Sequence, residues 1–219
     1  MILVYEDGNN SIAVYPGAGA GLEESHVHAA ASMLGNARVV MASCEVPLSA
    51  TQAAFELARA SGVLTLLNPA PATPLPEALW PMIDVLTPNE GELLMLAGET
   101  DLNLAAQTLL ARGVGAVVVT LGERGCALFR PLTPLLLIPG HSVQVVDTIG
   151  AGDTFTGTLA AALARQENWT DALHWANAAA ALSTQGRGAV TAMPSRHQVT
   201  LLLQSGIGAP RREACYAPK

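Results

Sequence analysis

Asp147–Thr148–Ile149–Gly150–Ala151–Gly152–Asp153 is the stretch on which the reading of this 219-residue chain turns. The β-prone segment Ser142–Val146 runs into it, and a small-residue apolar run, Thr154–Ala164, follows it. That order predicts strand, glycine turn, helix. Two glycines at a helix entry expose backbone N–H groups, and such groups hold anions. An acid, Asp153, stands in the same cradle. Proton abstraction beside a phosphate needs both features, and a plain helix cap is the even alternative. The longer dinucleotide fingerprint and the Walker lysine are both absent. The only lysine is Lys219. Phosphate chemistry here therefore falls to backbone N–H groups, a metal and arginine.

Outward from that turn, strand signals recur at Ser11–Tyr15, Arg38–Ala42, Leu64–Leu67, Val85–Thr87, Val117–Thr120, Ala127–Phe129 and Ser142–Val146. Helical patterns fill the gaps at Glu23–Leu34, Ser49–Ala60, Glu90–Ala97, Leu102–Arg112, Thr154–Arg165, Thr170–Ser183 and Ser195–Gln204. This alternation marks βαβ units, and so an α/β fold with a mostly parallel sheet. Gly62 and Gly113 stand where helices should stop. Pro69, Pro71, Pro74 and Pro76 break a connecting loop. Residues 1–205 read as one domain. It opens with a hairpin at residues 1–15 that turns at Glu6–Asn10 and wants more sheet beside it. Residues 206–219 read as a tail.

Other loops follow strands, where ligands gather in open α/β sheets. Asp147 ends its strand and can hold the turn or ligate a hard cation. Carbonyls from Ile149 and from Gln185–Ala189 could complete that cage. The turn-holding role is the commoner one. In Thr87–Pro88–Asn89–Glu90–Gly91–Glu92, Asn89 and Glu92 share one face of a first helical turn. They suit phosphate oxygens and water-held magnesium, or equally a capped helix. Thr120–Leu121–Gly122–Glu123–Arg124–Gly125 offers a hydroxyl and an N–H, and Gly125 turns the chain. Asn68–Pro69–Ala70–Pro71 shapes the rim. Glu45, after Cys44, could bond a sugar hydroxyl. Asn177 could edge a nucleotide base or face solvent. The five histidines show no ligand spacing, and no serine sits in a nucleophile elbow. Trp80, Trp169 and Trp175 read as packing residues.

Charged residues make up 13% of the chain, against a usual share of about 25%. Half the residues are hydrophobic, which fits a buried sheet covered by small-residue helices. The net charge of -7 and the lack of a basic stripe argue against nucleic-acid partners. Three scattered cysteines, Cys44, Cys126 and Cys215, make no disulfide framework, and Cys44 and Cys126 read as small core residues. No signal peptide or membrane span is legible, so a cytoplasmic protein is expected.

Together these stretches resemble the ribokinase-like (pfkB) carbohydrate kinase family. Asp147–Asp153 with Thr154–Phe155 is similar to that family's second signature. Asn68–Pro71, Thr87–Glu90 and Thr120–Gly122 match in the same order. The resemblance implies a three-layer α/β/α sandwich with a small β lid, and ATP-dependent phosphorylation of a sugar, ribose at its 5-hydroxyl. Asp153 would be the base, and Gly150, Ala151 and Gly152 the anion hole. Asn89 would contact ATP phosphates and Glu92 would help place Mg2+. Thr120, Gly122, Glu123, Gly125, Gly152 and Asn177 would line the nucleotide site. Asp147 and Ile149, with carbonyls of Thr184, Arg187 and Ala189, would form a K+ site. Glu45 would contact the sugar. Lid-mediated homodimers occur in the family. Family members are longer, and the resemblance implies that this chain is N-terminally truncated, lacking most of the lid and the sugar-binding loop. Weak turnover and exposed apolar edges are expected to follow.

Overall fold

A computed structural model of the chain describes residues 2–4, 10–12 and 14–205, with the first two segments described as backbone only. Strands β1 (Ile2–Val4) and β2 (Asn10–Ile12) pair antiparallel, Ile2 opposite Ile12, as the hairpin reading expects. The turn residues Glu6–Asn9 and the tail 206–219 lie outside the described residues. The chain divides into two compact units, Met1–Gly115 and Ala116–Lys219.

In the first unit, helices α1 (Glu24–Ala29) and α2 (Ala31–Gly35) precede β3 (Val39–Ser43). Helix α3 (Leu48–Ala60) leads to β4 (Leu64–Asn68), and β5 is Val85–Leu86. Strands β3, β4 and β5 pair in parallel, Val39 opposite Leu64 and Leu66 opposite Val85. Helices α4 (Glu90–Ala97) and α5 (Leu102–Ala111) complete the unit. The core holds Phe55, Leu66, Leu67, Leu86 and Leu109, all fully buried. Gly62, Gly98 and Gly113 end the helices before them in the left-handed region, where glycine pays no side-chain penalty.

The single helix expected over Glu23–Leu34 is two. Ala30 leaves helical geometry (φ -95°, ψ 7°), and both short helices lie against α3. Val27 is the buried anchor of α1, whereas Met33 is 76% exposed. A continuous apolar stripe is missing, so packing does not hold one straight helix.

The second unit opens with β6 (Ala116–Thr120), β7 (Cys126–Phe129) and β8 (Leu136–Ile138). These pair antiparallel, Val119 opposite Ala127 and Ala127 opposite Leu137. Helices α6 (Ala151–Ala164), α7 (Trp169–Ser183) and α8 (Arg196–Ser205) follow. Helices α6 and α7 pack through small residues, with Leu159, Ala162, Ala172 and Ala176 fully buried. No helix among the described residues is long and apolar enough to cross a membrane.

Two expectations here are corrected. Ser142–Val146 is not a strand, because its end is held by a loop distant in sequence and not by a neighbouring strand: Val146, and Asp147 after it, both donate to the Thr184 carbonyl, at 2.7 and 3.1 Å. Val145 and Val146 stay more than half exposed. The strand beside β7 is instead Leu136–Ile138, inside an apolar run that the sequence reading passed over. Helix α6 begins at Ala151, three residues earlier than Thr154, because Gly150 takes the cap position with φ +76°.

Candidate functional site

In the second unit the glycine turn is tied down from both ends. The Asp147 carboxylate accepts the Ile149 N–H at 3.0 Å through one oxygen and the Gly188 N–H at 3.0 Å through the other. These backbone bonds hold its pKa below the ordinary carboxylate range, with Arg187 adding a smaller pull. Residue 150 must be glycine on two counts. Its φ is left-handed, and a Cβ there would stand 2.9 Å from the Ala189 Cβ. The turn Asp147–Asp153 and the loop Gln185–Ala189 thus form one piece.

At the start of α6, Ala151 donates its N–H to the Thr148 carbonyl at 3.2 Å. The Gly152 and Asp153 N–H groups have no acceptor among the described residues. Gly152 and Asp153 are exposed, and no atom lies within 4 Å of where a Gly152 Cβ would sit. An open first turn with free donors is the arrangement that receives an anion. The Asp153 carboxylate lies in that same turn.

The expected cation ligands are only partly available. The Thr184 carbonyl already takes two N–H donors, which fills both lone pairs and removes it from the set. The Arg187 carbonyl accepts the Thr191 hydroxyl at 2.7 Å and keeps one lone pair. The Ile149 and Ala189 carbonyls have no protein donor among the described residues. Asp147, Ile149, Arg187 and Ala189 therefore suit a hard monovalent cation, whereas Thr184 positions the loop. Among the described residues no group of three or more His, Cys, Asp or Glu gathers for a transition metal.

Thr120 ends β6, and Gly122, Glu123 and Gly125 follow it. Gly122 and Gly125 both have positive φ, and a Cβ on Gly125 would strike the Ile138 carbonyl. A Cβ on Gly140 would strike the Glu123 carbonyl, so this loop packs backbone to backbone against Pro139–Gly140. Asn177 is buried, not at the surface, and donates to the Pro139 carbonyl at 2.7 Å. Nearby, His141 has two buried ring nitrogens with no partner. Desolvation, and next His174, lower its pKa. The sequence reading missed the exit of β8. The Pro139–Gly140 dipeptide after an apolar run was the available signal.

In the first unit, Cys44 and Glu45 follow β3, and Thr87–Glu92 follows β5. The Cys44 N–H donates to the Ala70 carbonyl at 3.0 Å, which joins two strand-end loops. Cys44 is half-buried rather than a core residue. Burial, with help from Glu92, pushes its thiol up to about 11. Asn89 caps α4: its side chain accepts the Glu92 N–H at 2.8 Å, and Glu92 accepts the Asn89 N–H at 2.8 Å. The bland capping role is therefore occupied. Burial nevertheless raises the Glu92 pKa, and the Asn89 N–H only partly offsets it. A half-dry carboxylate of this kind gains from a neighbouring cation.

The profile of the pfkB family carbohydrate kinases matches residues 1–196. A bifunctional ribokinase/ribose-5-phosphate isomerase A of Fructilactobacillus sanfranciscensis is 40% identical over 204 residues, covering 90% of this chain and 38% of that protein. The ribokinase of Staphylococcus aureus is 38% identical over 205 residues, covering 91% of this chain and 67% of that one. The structure of Arabidopsis thaliana ribokinase complexed with ribose and ATP superposes with a TM-score of 0.84 at 33% identity, over 93% of this chain and 68% of that one. The chain thus spans about two thirds of the single-activity relatives and well under half of the bifunctional one. The chain belongs to the pfkB family of carbohydrate kinases.

Proposed function

We propose that this chain phosphorylates a sugar hydroxyl at the expense of ATP, with D-ribose as acceptor and D-ribose 5-phosphate as product. The observation that carries the reading is the open first turn of α6, where free backbone donors and the Asp153 carboxylate share one helical turn. Asp153 accepts the hydroxyl proton as the sugar oxygen bonds to the γ-phosphorus and the bond to the ADP oxygen breaks. The Gly152 N–H, in the turn built by Gly150 and Ala151, meets the charge on the moving phosphoryl group. Thr120, Gly122, Glu123, Gly125 and Asn177 form the nucleotide-binding wall of the second unit. In the first unit, Asn89 would contact phosphate oxygens, Glu92 would help place Mg2+, and Glu45 would contact the sugar. Mg2+ would neutralise phosphate charge. K+ would be held by Asp147, Ile149, Arg187 and Ala189, and would firm the turn.

A second reading, a nucleotide binder with little turnover, draws support from the exposure of Asp153 and Gly152. One experiment separates the two. ATP binding is measured by calorimetry with Mg2+ and K+, and turnover is measured with ribose, deoxyribose, fructose phosphate and adenosine. Asp153→Asn is expected to keep ATP binding and to lower ribose turnover by at least about 10²-fold. Equal turnover in the variant would end the catalytic reading. ATP binding with no turnover in either protein would favour the second.

A further inference from the structure

A cavity of about 250 Å³ lies in the first unit, walled by Leu75, Trp80, Met95 and Leu96 and by the charged Glu77 and Arg112. It sits at the end of α4 opposite Asn89. Arg112, just past α5, holds its guanidinium 5.2 Å over the Trp80 ring. Glu77 and Arg112 are both exposed at the mouth of this space, and among the described residues neither makes an ion pair. Trp80 is 1% exposed, and its indole N–H has no acceptor.

Two opposite charges at the exposed mouth, beside an apolar floor, favour an occupant that carries both signs. A simple anion would satisfy Arg112 and meet repulsion from Glu77. An amine would do the reverse. A zwitterion with an apolar body satisfies both charges and the floor together. Ligand pockets start at roughly 300 Å³, so this smaller one suits a metabolite and not a nucleotide. We propose that the cavity binds a free apolar α-amino acid. Its carboxylate meets Arg112, whose planar fork suits carboxylates and whose stacking on Trp80 orients it. Its ammonium meets Glu77. Its side chain rests on Leu75, Trp80 and Leu96, with the flexible, 66% exposed Met95 at the rim. Met95 and Leu96 belong to the helix that Asn89 and Glu92 begin, so an occupant would touch the element carrying those two residues. The proposal does not rest on the kinase reading.

The test is calorimetry on the full chain with L-leucine and L-methionine. Two analogues each lack one charge of leucine, 4-methylpentanoate and 3-methylbutylamine. At least one amino acid is expected to bind, and each analogue to bind at least about tenfold more weakly than leucine. Glu77→Gln and Arg112→Gln are each expected to weaken amino-acid binding by a similar factor. If Arg112→Gln unfolds, the analogue series on the unchanged protein decides. No binding of either amino acid at tens of millimolar overturns the proposal. So does equal binding of leucine and 4-methylpentanoate, or binding untouched by Glu77→Gln.

Discussion

Single residues set the geometry of the glycine turn. Gly150 takes a left-handed φ and leaves no room for a Cβ beside Ala189. Gly150→Ala is expected to destabilise the fold by about 1–3 kcal/mol, read as a lower urea midpoint at unchanged slope. An unchanged midpoint would show that the turn relaxes freely. His141 shows how burial acts on a titrating group. Desolvation lowers its folded-state pKa below 6.5, so the unfolded chain binds the proton more readily. Its neutral form is compatible with the fold at neutral pH. Stability is then lost as pH falls below the unfolded value, until the folded group also titrates. Melting temperature measured between about pH 7 and 5 should fall less steeply in His141→Gln than in the parent. Parallel curves would remove His141 as a source. At this scale the candidate site residues Asp153, Asn89 and Asp147 were legible, because they stand in short motifs. The partners of Asn177 and Thr184 were not, because each reaches a group 38 residues away in sequence.

At the scale of elements, two devices hold strands and helices in place. Asp84, just before β5, accepts the Thr65 N–H at 2.9 Å and the Arg59 guanidinium at 2.7 Å. Its own N–H reaches the Thr65 hydroxyl at 3.1 Å. The carboxylate thereby links α3, β4 and β5. The Arg59 pair is partly exposed on both sides and contributes little by itself. The bond to a strand N–H matters more, since its loss orphans a half-buried donor. Asp84→Ala is expected to cost about 2–3 kcal/mol in urea unfolding, and Arg59→Ala well under half of that. Equal losses would place the stabilisation in the ion pair. Asn89→Ala should cost about 1 kcal/mol through the cap alone, so its effect on ATP binding must be corrected for stability. Helices α4, α5 and α7 fell within a residue of their expected ends because asparagine, aspartate and glycine mark caps locally. Strands were harder. Ser142–Val146 has the composition of one, but a ladder needs a partner of matching register, and composition carries no partner.

At the scale of the whole molecule, charge and apolar surface act together. The chain carries a net charge of -7 and a pI near 5.1. Leu132, Met33 and Val190 are among its large exposed hydrophobic residues. As pH approaches the pI, repulsion between copies fades while this surface stays available. Light scattering is expected to peak near pH 5 and to fall on either side. A flat profile would show that the exposed residues do not drive association.

The order of residues by itself determined the α/β class, the family and the candidate loops at the strand ends. Each of these is written in short-range signals: caps, glycine turns, and apolar periods of two or 3.6. Only the tertiary structure decided which carbonyls and N–H groups remain free to act. The Thr184 carbonyl was filled by Val146 and Asp147, and the Asn177 amide was turned inward to Pro139, by bonds between segments distant in sequence. A backbone group's availability depends on what folds against it, and that is a property of three dimensions.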